Sequence, residues 1–150
     1  MVRGLTPAAI LAVGALVGAG CSSADTRADY VDTLNGIQEQ ASDTFNQTVS
    51  ATARNPEQQA EQLEVAAATY DEILAELESV EVPEEAQGGH DDLVAGYREM
   101  RAVFGKALAK AERADEPNES IAAVTVIGTQ GATIGETLDQ ALGRIRQELD

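Results

Sequence analysis

The chain has 150 residues, with 26 Asp and Glu against 10 Lys and Arg, and a formal net charge of −16. That balance argues against binding nucleic acid or anionic headgroups by electrostatics, because phosphate recognition needs clustered cations. Its one cysteine rules out an internal disulfide staple, and the roughly 130 residues beyond the N-terminal segment suit one domain with its own core.

Arg3 supplies a short positive region, and residues 5–19 are uncharged and rich in Ala, Leu, Val, Ile and Gly. This is the anatomy of a secretory signal, and the run is shorter than the about 20 apolar residues a spanning helix requires. Gly18, Ala19 and Gly20 are small, and Cys21 follows at the change to polar sequence. The segment resembles the lipobox of bacterial lipoproteins, whose usual form is Leu, a small residue, Gly or Ala, then Cys; here Gly18 stands where Leu is usual. The resemblance covers residues 1–23. It implies a signal peptide at 1–20, acylation of Cys21, a tether at 21–24 and a folded body at 25–150. The alternatives are an ordinary signal cleaved near Ala19 or Gly20, and an uncleaved anchor. Exported cysteines usually pair, and lipidation accounts for one that has no mate. The expected location is outside the cytoplasmic membrane. The membrane is the first expected partner, held through acyl groups on Cys21 because no polybasic patch adds a second anchor.

Four amphipathic segments follow. Tyr30, Leu34, Ile37, Ala41, Phe45 and Val49 recur at steps of three and four and predict a helix over 25–53. Asn55 and Pro56 suit the cap and first position of a second helix, and Glu57 complements its dipole. This helix is predicted over 56–79, with Leu63, Tyr70 and Leu77 in heptad register beside Ala66, Ile73 and Val80. Val82-Pro83 ends it, since the residue before a proline avoids helical geometry. A turn over 84–87 and the weakening effect of Gly88-Gly89 put the clear start of the third helix near His90, with an end near 114. Leu93, Tyr97, Met100, Phe104, Leu108 and Ala111 form its stripe. Asp115 to Asn118 break the pattern again. The fourth helix, over 117–149, carries Ile121, Val124, Ile127, Ile134, Leu138, Leu142, Ile145 and Leu149. Its middle is poor helix material: Val124 to Ile127 are β-branched, and Gly128, Gly131 and Gly135 follow. The glycines imply a close neighbouring helix or a kink, and a strand at 122–127 is the alternative.

The pattern predicts an all-α, up-down-up-down antiparallel four-helix bundle. No Lys or Arg lies between Asn55 and Tyr97, whereas Lys106, Lys110 and Arg113 crowd the end of the third helix. Glu57, Glu61 and Glu64 are therefore expected beside that basic end in an antiparallel hairpin.

Candidate sites are few. His90, Asp91 and Asp92, with Glu84 and Glu85 nearby, are the one cluster with metal-ligand chemistry. The lone His and the lack of Glu-x-x-His exclude a ferritin-like di-iron centre, and capping at the start of the third helix is the favoured role for His90 and Asp91. Gly128, Gly131 and Gly135 lack the Lys-Ser/Thr of a phosphate loop. Tyr30, Tyr70 and Tyr97 are expected in the core with hydroxyls at its edge, and Thr125, Thr129 and Thr133 on a solvated face. No Ser-His-Asp or cysteine nucleophile set emerges, so neither an enzyme nor a cofactor is expected.

The lipobox-like segment, the acidic helical pattern and the hinge from Val82-Pro83 to His90 are similar to those of small helical lipoproteins common in actinobacteria. The resemblance carries no functional residue. It implies an interaction or accessory module with an envelope protein as partner. Alternatives are a solute-binding bundle with a cavity beside the tyrosines and the fourth-helix glycines, and an acidic divalent-metal binder.

Overall fold

The computed structural model describes residues 23–51 and 55–150. Four helices carry the fold: α1 (Ser23–Ser50), α2 (Pro56–Ser79), α3 (Gln87–Ala111) and α4 (Pro117–Leu149), with a 3₁₀ turn at Glu84–Ala86 ahead of α3. No strand occurs among the described residues. Each helix packs on the next, and α4 closes the bundle against α1 and α2. Gly89 of α3 faces Ile145 of α4 while Gly96 faces Leu138, so the two run antiparallel. This is the expected up-down-up-down bundle.

Local chemistry sets the helix ends. The Asn55 side chain accepts the Gln58 backbone N–H at 2.8 Å, and Pro56 occupies the first position of α2, where no N–H is needed. Val80 turns to extended backbone ahead of Val82-Pro83 and closes α2. Pro117 likewise opens α4, where the Ser120 hydroxyl donates to the Pro117 carbonyl at 2.8 Å. Helix α4 runs unbroken through the glycines, and no strand forms at 122–127. Burial of Ile127 at 0 % exposure outweighs the weak helix propensity around it.

Some helix boundaries differ from expectation. Helix α1 stops at Ser50, and α3 ends at Ala111. Helix α3 also passes through Gly88 and Gly89 rather than starting after them. A Cβ on Gly89 would lie 2.6 Å from Ile145 Cγ1 and 3.2 Å from the Ile145 backbone nitrogen; one on Gly96 would lie 2.6 Å from Leu138 Cδ2. These glycines let α3 and α4 approach closely, and the resulting packing offsets a propensity cost of about 1 kcal/mol each. The close approach thus comes from the glycines of α3. In α4, Gly131 receives the ring of Phe45, while Gly128 and Gly135 have nothing within 4 Å of an added Cβ.

The heptad seam of α2 forms the spine of the core. Leu63, Ala66, Tyr70, Ile73 and Leu77 are all buried. The Tyr70 ring lies 4.8 Å from that of Phe104 and 6.3 Å from that of Tyr97, within the range of favourable aromatic pairs. Taken over all its neighbours, helix α1 is the least packed of the four.

The α2–α3 charge pairing is real but lies elsewhere than expected. Arg101 holds Asp71 through Nε at 2.7 Å and Nη2 at 2.9 Å, and Arg98 reaches Glu78 at 2.7 Å. Glu57, Glu61 and Glu64 enter no ion pair among the described residues. Lys110 and Arg113 instead line a groove with Asn118, Glu119 and Ala122 at the start of α4.

Candidate functional site

His90, Asp91 and Asp92 do not converge. His90 is the fourth residue of α3, turns inward and is 5 % exposed. Its Nδ1 lies 3.0 Å from the Tyr30 hydroxyl, and it also hydrogen-bonds the Leu77 backbone. A neutral ring with its proton on Nε2 satisfies both: it donates to the Leu77 carbonyl and accepts from Tyr30. Burial pushes the His90 pKa below its ordinary value, against the opposing effects of Asp91 and the Leu77 hydrogen bond. Burial, then the charge of Glu148, pushes Tyr30 up to about 12. Asp91 faces solvent beside Gln87. Asp92 pairs with Arg144 at 2.9 Å, and Glu85 pairs with Arg27. No group of three or more His, Cys, Asp and Glu side chains is placed to hold a metal among the described residues.

The capping role expected of His90 and Asp91 is thereby corrected. The 3₁₀ turn at Glu84–Ala86 starts the helical path early, α3 begins at Gln87, and its cap position, Ala86, makes no side-chain capping bond. His90 falls one turn into the helix, on the face turned toward α1 and α2.

The tyrosines are in the core, as expected, at 0, 1 and 2 % exposure for Tyr30, Tyr70 and Tyr97. Their hydroxyls differ from expectation. Tyr30 is paired with His90, and Tyr70 donates to the Ala41 carbonyl at 3.2 Å. The Tyr97 hydroxyl bonds no protein group among the described residues, and its oxygen is not one of the fully buried polar atoms left unpaired there. Thr125, Thr129 and Thr133 face solvent, as expected.

Tyr97 opens onto the feature with the clearest capacity for a ligand. A cleft of about 250 Å³ lies between α1 and α4, floored by α2 and α3. Phe45, Tyr70, Tyr97 and Met100 supply its apolar walls, Gly131 and Gly135 its α4 side, and Asp139 its mouth. Burial, then the charge of Asp139, pushes Tyr97 up to about 12, which places that carboxylate within electrostatic reach of the phenol. Burial also raises Tyr70, with a further contribution from Tyr97. The cleft exists because Gly135 presents no side chain and Phe45 stands over Gly131. Sequence reasoning placed a cavity beside the tyrosines and these glycines but missed Phe45 and Asp139. The i to i+4 spacing of Gly131, Gly135 and Asp139 on one face of α4 was the available signal.

A second groove, about 450 Å³ and more polar, runs between α1 and α2 past Thr44, Gln47, Gln62 and Val65. Val65 there is 64 % exposed. No described helix is long and apolar enough to cross a membrane. Cys21 and the segment before it lie outside the described residues. Compared with protein-family models, curated proteins and solved structures, the chain matches none.

Proposed function

We propose that this chain is a lipid-anchored helical-bundle protein of the cell envelope, an interaction or accessory module without catalysis of its own. The observation that carries the reading is the shortness of the tether. Helix α1 is already formed at Ser23, the first described residue and two residues after Cys21. Acyl groups on Cys21 would therefore hold the start of α1 at the bilayer surface. The 3₁₀ turn, the His90 end of α3 and the end of α4 share that end of the bundle. The α1–α2 and α3–α4 connections then face away, where an envelope partner meets them first. The formal charge of −16 keeps the body off an anionic surface.

Metabolic labelling of cells with a palmitate analogue tests the anchor. Label is expected on the wild-type protein and absent from Cys21→Ala, with the variant released from the membrane fraction. Label persisting in Cys21→Ala sinks the reading.

The cleft beside Tyr97 favours a second reading, a ligand-binding lipoprotein. The Tyr97 hydroxyl bonds no other group among the described residues and opens onto the cleft, where a ligand would meet it. The divalent-metal reading has no such support, because His90 points inward and Asp91 and Asp92 point outward.

A further inference from the structure

Taking the cleft as a ligand site, we propose that it binds a small organic ammonium ion, with its apolar body against Phe45, Tyr70 and Met100 and its charge at Asp139. Three observations select a cation. Asp139 is the single charged residue lining the cleft, and it enters no ion pair among the described residues. The walls are aromatic and apolar, from Phe45, Tyr70 and Tyr97, rings of the kind that attract an ammonium group, together with the thioether of Met100, which adapts to irregular apolar shapes. The net charge of −16 raises the local concentration of cations around the whole body and repels carboxylates and phosphates.

The size and the polar groups narrow the ligand further. A volume of about 250 Å³ lies just below the roughly 300–1,000 Å³ of drug-sized sites, so the occupant is small. The Tyr97 hydroxyl, 2 % exposed and unpartnered, both donates and accepts hydrogen bonds. It can take an ammonium N–H directly or donate to a polar substituent beside the amine. Gln38 and Ser42 at the α1 rim add exchangeable polar contacts. Helix α1, the least packed of the four, forms the wall that most easily adjusts to the guest.

The chain itself supplies a reporter. It has two methionines, and Met100 lines the cleft while Met1 lies far outside it in sequence. The experiment is a titration of the full-length chain, carrying ¹³C-methyl methionine and held in nanodiscs of zwitterionic lipid, with 2-phenylethylammonium and its neutral counterpart 2-phenylethanol. The ammonium is expected to shift the Met100 methyl signal saturably and to bind at least about threefold tighter than the alcohol, the scale of an exposed charge pair plus a cation–π contact. Asp139→Asn should abolish that preference. Glu136→Gln, which removes the same charge outside the cleft, should retain it. Gly135→Leu should remove the saturable shift for both probes. A Cβ at Gly135 meets nothing within 4 Å, so this variant fills the cleft without disturbing the helix and gains helix propensity. Equal binding of ammonium and alcohol, both lost in Gly135→Leu, would overturn the cation class and leave the cleft as a ligand site. No saturable shift, or one that survives Gly135→Leu, would overturn both.

Discussion

The Tyr30 hydroxyl lies 3.0 Å from Nδ1 of His90, joining α1 to α3 inside the bundle across sixty residues of chain. The ring of His90 is held on its other side by the Leu77 backbone of α2, so three helices meet at one imidazole. Glu148 of α4 adds its charge to the same end of the core.

This contact gives the fold a pH optimum. Burial holds the His90 pKa below its ordinary value, so the unfolded chain takes up the proton first. Its stabilisation is complete above about pH 6.5, the unfolded value, and is lost as pH falls through the lower folded value. Tyr30, raised to about 12, acts in the opposite sense: its share is complete below about pH 10 and is lost above it. The Tm is expected to be flat between these limits and to fall as pH drops below about 6.5. In His90→Gln that acid-side decline should flatten. An unchanged slope would remove His90 from the explanation.

Removing only the hydroxyl isolates the hydrogen bond from the packing. Tyr30→Phe keeps the ring but leaves Nδ1 of a 5 %-exposed His90 without its donor, at a cost of about 1–3 kcal/mol. Urea denaturation measures it directly. A loss below about 0.5 kcal/mol would mean that water replaces the phenol freely.

Glycines that look alike in the sequence should respond oppositely to alanine. Gly89→Ala puts a methyl 2.6 Å from Ile145 Cγ1 and 3.2 Å from backbone, and overpacking of this kind costs about 1–3 kcal/mol. Gly128→Ala meets nothing within 4 Å and should gain about 0.5–1 kcal/mol from helix propensity. Two denaturation curves check the pair. Equal shifts of the same sign would contradict the close α3–α4 approach.

Helix α1 should open before the rest. Taken over all its neighbours it is the least packed of the four helices, and local opening follows contact density. Native-state hydrogen exchange is expected to show faster exchange across α1, outside the turns near Tyr30 and Ala41, than across α3 and α4. Uniform protection in all four helices would contradict this.

The bidentate Arg101–Asp71 pair should contribute little. Both side chains reach solvent, Asp71 at 58 % exposure, so a double-mutant cycle is expected to give about 0–1 kcal/mol, falling with added salt. A coupling well above that range would show that the pair also orders the α2–α3 interface.

Helix existence and order were legible because the seams are regular and the punctuation is chemical. Leu63, Tyr70 and Leu77 mark one face at a fixed period, and Asn55-Pro56, Val82-Pro83 and Glu116-Pro117 each end a pattern for reasons local to the backbone. Residue orientation near the breaks was less legible. His90 follows two glycines and precedes two aspartates, a composition that fits a helix cap as well as the first inward turn. Only the short 3₁₀ turn at Glu84–Ala86, which brings the helix start forward, decides between them. The glycine partners were hidden for a similar reason. The period of α4 says which face Gly131 shares, but not that Phe45 reaches it or that nothing reaches Gly135. Part of the ligand candidate was readable from the tyrosines and glycines. Its charge was not, because Asp139 is one acid among 26 until the fold sets it at the cleft mouth.

Helix α4 is the longest of the four among the described residues, at 33 residues, yet its own residues are poor at making it. Gly128, Gly135 and Gly143 each forgo about 1 kcal/mol relative to alanine, and an added Cβ on any of them meets nothing within 4 Å. The β-branched run from Val124 to Ile127 adds a further penalty. Cut free of its neighbours, α4 would be mostly coil in water. Its helicity is borrowed from the groove that α3 offers through Gly89 and Gly96. During synthesis α4 emerges last of the four, when the α2–α3 hairpin is already free to form the template. Coiling and docking of the last helix are then one event, and the bundle closes as α4 folds onto it.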